Sequence, residues 1–143
     1  MFSKINFQYL LSYFGIIPYI FIMIDKSFFN KFDIIILNQF SIYYTLIIFV
    51  FIGSANWNLR EKIPNYLVIY GFIPSLISLI LIFLTLFSIK TIIMLNILIF
   101  ILITQLFLDL KIIYRESTHK FIFYKVRLPL TLLIIISLII ILS

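Results

Sequence analysis

Few residues able to do acid–base, nucleophilic or metal chemistry occur in this chain, and fewer fall inside its apolar runs. Its 143 residues include 5 Asp and Glu, 11 Lys and Arg, 1 histidine and no cysteine. The lack of cysteine removes disulfides, thiolate metal sites and cysteine nucleophiles together. His119 stands alone in a polar segment, reads as a solvated loop residue, and cannot form a histidine metal cluster. No Gly-rich phosphate loop, Ser/His/Asp set or paired catalytic carboxylates are present. The expectation is a protein that is not an enzyme and holds no metal or cofactor.

What remains is a set of polar residues at the ends of apolar stretches: Asn56, Trp57 and Arg60 in FIGSANWNLREK, Gln105 and Asp109 in TQLFLDLK, and Arg127 in KVRLPL. Gln105 and Asp109 are four positions apart and share a helix face. A carboxylate at the depth of a membrane span is costly enough to demand a partner. Asp109 is therefore expected to pair with Arg127 or Arg60, with Asn56 and Gln105 beside it. Two uses fit such a cluster: a polar vestibule open to the cytoplasm, or an ion pair with interhelical hydrogen bonds that hold the bundle together.

The elements that must position these residues follow from composition. The chain is 64% hydrophobic and 11% charged, with a mean hydropathy of +1.25; soluble domains are about half apolar and about a quarter charged. The solvent for so much apolar surface is a bilayer. At about 20 residues per crossing, the apolar runs predict an all-α bundle of five transmembrane helices in a single domain, over residues 7–24, 39–58, 64–88, 91–110 and 128–142. The first run has no small-residue cleavage site and reads as a retained span. Ser88, Lys90 and Thr91 mark a tight turn between the third and fourth spans, and Pro129 suits the first turn of the fifth.

Basic residues then set orientation. Lys4, Arg60, Lys62, Lys111, Arg115, Lys120, Lys125 and Arg127 fall on the side of the N-terminus; only Lys26, Lys31 and Lys90 fall on the other. The positive-inside rule puts the N-terminus in and the C-terminus out. The net charge of +6 thus points to lipid headgroups as its partner, not to nucleic acid. Tyr9, Tyr13, Trp57, Tyr66, Tyr70, Tyr114 and Tyr124 gather on the same side, as an interfacial aromatic belt does.

Within the spans, Gly53, Ser54 and Ala55 are small enough to let two helix backbones approach. Asn38, Gln39 and Ser41 read as headgroup contacts, and Asn96 as a bond to another helix. Pro18 and Pro74 are expected to kink their helices, each freeing a carbonyl about a turn earlier. They lie in similar stretches, YFGIIPYIF and IYGFIPSLI, an echo compatible with a duplicated hairpin.

The succession GIIP, FIGSANW, IPSL, FLDLK and RLPLTL resembles the small five-span proteins of the domain of unknown function 3429 family, of the transmembrane protein 69 type. The likeness covers nearly the whole chain and implies an integral membrane protein of the bacterial inner membrane or the mitochondrial inner membrane, with no activity assigned. In that family's pattern a histidine precedes the tryptophan. Here that position is Asn56, which leaves a hydrogen-bonding role and removes any metal, haem or proton role a histidine would have had. The functional expectation is a non-enzymatic accessory, assembly or structural component, binding a membrane-protein partner or itself; the alternative is a small oligomeric transporter or channel.

Overall fold

The computed structural model describes residues 10–54, 64–87, 89–113, 120 and 123–142. They form five helices of 19 to 22 residues, each long and apolar enough to cross a membrane: α1 (Leu10–Phe29), α2 (Ile34–Ser54), α3 (Asn65–Leu86), α4 (Thr91–Ile112) and α5 (Phe123–Ile141). At 1.5 Å per residue such lengths match a hydrocarbon layer of about 30 Å. No strand occurs among the described residues.

Successive helices alternate in direction. One end of the bundle, here the near end, carries Leu10, Ser54, Asn65, Ile112 and Phe123; the far end carries Phe29, Ile34, Leu86, Thr91 and Ile141. Side chains tie both ends. At the far end Lys26 Nζ donates to the Ile141 carbonyl at 2.9 Å; at the near end Tyr13 donates to the Lys125 carbonyl at 2.7 Å.

Helix boundaries differ from the counted runs where polar side chains extend or cap a helix. The first helix does not stop at Ile24 but continues through a wider π turn, Asp25–Phe29, and Asn30 closes it with a left-handed φ of 46°. Asp25 is buried there, and its carboxylate accepts the Phe32 N–H at 3.3 Å. The second helix begins at Ile34 instead of residue 39, because Asp33 accepts the Ile35 N–H at 2.8 Å and so caps the first turn. A π turn at Phe123–Arg127 likewise starts the fifth helix five residues before Leu128.

Hydroxyl and small residues cluster on the buried faces. Helix α2 buries Ser41, Thr45 and Gly53, and α3 buries Tyr70, Gly71, Pro74 and Ser78. Apolar burial centres on Leu46, Phe49, Met94, Leu98, Leu102 and Leu138. Ser41 is therefore a core residue and not a headgroup contact: it is fully enclosed and donates to the Leu37 carbonyl at 2.9 Å. Asn38 is half-buried with its Oδ1 enclosed, while Gln39 is exposed. Thr45 donates to the Ser41 carbonyl at 2.7 Å, so the Tyr19 hydroxyl, also 2.7 Å from Thr45 Oγ1, is the donor to it.

The two Gly–Pro stretches take different structures. In α1 the helix breaks at Gly15 and Ile16, and Pro18 sits in the first turn of the renewed helix Ile17–Ile24. The Gly15 carbonyl exposed by that break accepts the Tyr44 hydroxyl at 2.8 Å. Helix α3 instead runs unbroken past Pro74, whose ring packs on Gly53 of α2. Sequence likeness between the stretches thus does not carry over to backbone geometry.

Candidate functional site

The near end places Asp109 on the inner face of α4, one turn after Gln105. The buried residues Leu95, Leu98, Leu102, Gln105 and Asp109 recur at alternating steps of three and four, the spacing of a seam between helices. The polar pair simply continues that apolar seam to the end of the helix. Asp109 is 1% exposed and Gln105 7%, so neither meets solvent.

Each carboxylate oxygen of Asp109 is occupied. Oδ2 accepts from Arg127 Nε at 3.0 Å and lies 2.9 Å from Arg127 Nη2. Oδ1 accepts the Tyr70 hydroxyl at 2.5 Å and Gln105 Nε2 at 3.2 Å. Gln105 Nε2 also donates to the Tyr70 oxygen at 3.1 Å, and Arg127 Nη2 to the Ile52 carbonyl at 3.3 Å. Three helices, α3, α4 and α5, thus meet at one carboxylate, and α2 joins them through the bond from Arg127 to the Ile52 carbonyl. Charge-assisted bonds of this kind are about twice as strong as neutral ones. The π turn ending at Arg127 sets that residue at the mouth of α5 facing α4.

Gln105, Asp109 and Arg127 are brought together. Asn56, Trp57 and Arg60 lie outside the described residues. Two members were not anticipated. Tyr70, read as part of an interfacial belt, is buried and donates its hydroxyl to Asp109. Its position beside Gly71 and one turn before Pro74, on the face carrying the small residues of α3, was the available signal. The Ile52 carbonyl, as a backbone group, left none. Among the described residues Asn96 bonds no other helix; its Nδ2 donates to the Ile92 carbonyl of its own helix at 3.0 Å, and the side chain is exposed.

The chain matches no protein-family profile, no curated protein and no solved structure. The likeness to the domain of unknown function 3429 family therefore lends nothing to the site, which stands on its geometry.

Among the described residues that geometry is closed. A cavity of about 270 Å³ lies beside Arg127 between α1, α2 and α5, but its wall is mainly Leu11, Ile47, Phe51, Ile52, Leu130 and Ile134, and neither Asp109 nor Gln105 lines it. Among the described residues, no group of His, Cys, Asp and Glu has the arrangement to hold a metal ion.

Proposed function

We propose that this chain is a non-enzymatic, multi-pass protein of the bacterial inner membrane or the mitochondrial inner membrane, an accessory, assembly or structural component whose near-end polar cluster is a clamp between helices. The observation that carries the reading is the saturation of Asp109: both oxygens are filled from three helices at 1% exposure. A carboxylate whose acceptor positions are taken up by side chains of the described residues serves to hold helices together; a binding vestibule would leave it reachable. Membership of the domain of unknown function 3429 family would fit the same reading, on FIGSANW and RLPLTL. Purification in mild detergent is expected to retain a different membrane protein in fixed proportion. Preparations containing this chain alone that conduct ions or solutes in vesicles would overturn the reading in favour of an oligomeric transporter.

The proposed topology is N-terminus in and C-terminus out, from the span count and the bias of basic residues. Reporter fusions after Lys62 and Lys120 should then give cytoplasmic signals, and fusions after Lys31, Lys90 and Ser143 external ones. A cytoplasmic signal from Ser143 would rule out five crossings.

A further inference from the structure

The outer face of α4 differs from those of α3 and α5. Ile93, Phe100, Ile103 and Phe107 are exposed there, and with Asn96 they repeat at steps of three, four, three and four, the spacing that seats one helix against another. This outer row lies opposite the inner row ending at Asp109. It spans about 21 Å of helix at 1.5 Å per residue.

Asn96 is what distinguishes this row from the apolar outer faces of α3 and α5. It sits six residues after Lys90, about 9 Å along the helix axis and inside the predicted hydrocarbon. The hydroxyls of half-buried Thr85 and exposed Thr104 use their single proton on carbonyls of their own helices. A carboxamide has two N–H donors and a carbonyl acceptor. One bond to the Ile92 carbonyl leaves this exposed side chain with a donor and an acceptor to spare, which lipid cannot satisfy.

We propose that this row is a self-association surface, on which Asn96 of one copy bonds Asn96 of a second across a two-fold axis. The carboxamide selects that occupant because it carries donor and acceptor together. A two-fold axis places a seam position against itself, so two copies exchange reciprocal N–H···O bonds with no other chemistry required. An asparagine in an otherwise apolar helical seam is also a recognised device for setting register and copy number. The inference does not depend on the accessory role, since a self-associated chain can still carry a foreign partner.

The absence of cysteine permits a direct test in membranes containing the full chain. Phe100→Cys reports on the row with Asn96 intact, and Leu79→Cys reports on the exposed outer face of α3. Oxidation should give a covalent dimer from Phe100→Cys and little from Leu79→Cys. Adding Asn96→Leu should lower the association constant about 3- to 30-fold, the range of interhelical hydrogen bonds in bilayers; adding Asn96→Gln or Gln39→Leu should largely preserve the cross-link. Helical circular dichroism of each variant separates lost association from failed folding, and energy transfer between labelled copies, with Phe100 native, repeats the Asn96→Leu comparison. Equal cross-linking at both cysteines, or undiminished association in folded Asn96→Leu, would overturn the proposal.

Discussion

Asp109→Ala is expected to destabilise the folded bundle by about 3–5 kcal/mol, the usual loss when one member of a buried ion pair is removed. The substitution leaves the Arg127 guanidinium with only the Ile52 carbonyl among its observed partners, and takes from Tyr70 and Gln105 the acceptor they share. Arg127→Ala should cost a similar amount, because Asp109 would then be an enclosed carboxylate with neutral donors only. Removing both charges, as Asp109→Leu with Arg127→Met, should recover part of the loss, since no uncompensated charge remains. Titration from dodecyl maltoside into SDS, followed by circular dichroism, measures all four proteins on one scale. Single variants as stable as the parent would show that the pair is not a clamp. A folded, fully stable Asp109→Ala protein that lost its cellular phenotype would instead assign the carboxylate a functional role.

Gly53→Ala should be far more damaging than Gly15→Ala, although each replaces a single hydrogen by a methyl group. A Cβ there would stand 2.6 Å from Pro74 Cγ and 2.8 Å from the Gly71 carbonyl oxygen. A proline ring and a backbone oxygen cannot swing aside, so α2 and α3 must separate along their most extensive contact. Overpacking of this kind costs about 1–3 kcal/mol, against about 1 kcal/mol gained from helix propensity. The net should be a lower SDS midpoint for Gly53→Ala and loss of folded yield for Gly53→Leu. Gly15→Ala is the comparison: its Cβ would meet only the Ser12 carbonyl at 3.2 Å and the Tyr44 hydroxyl at 3.9 Å, and it should be milder. A Gly53→Ala protein more stable than its parent would mean that the α2–α3 crossing is looser than described.

Helix number was legible from the length of the apolar runs. A run of about 20 apolar residues has one economical way to satisfy its backbone, and charged residues punctuate the runs. Asp109 was legible for a related reason, since a carboxylate near the hydrocarbon must find a cation, and Arg60 and Arg127 border the second and fifth predicted spans at that end. Helix ends were less so. Hydropathy does not report that Asp33 caps α2 or that Asp25 folds back on the Phe32 N–H, because those bonds depend on turn geometry.

The sequence by itself therefore determined how many apolar helices there are and that Gly53 permits a close approach, consequences of the length of the apolar runs and of side-chain size. Only the tertiary structure decided who meets whom. Tyr70 turned from belt to donor, Ser41 from headgroup contact to core, and Asn96 from interhelical bond to exposed carboxamide. The physical reason is rotational. Hydropathy varies with depth along a helix and constrains its position along the membrane normal, whereas the face a residue presents depends on how neighbouring helices turn about their axes. In a chain whose faces are nearly all Ile, Leu and Phe, that rotation is set by the few polar and small residues jointly, through contacts that exist only once four helices have come together.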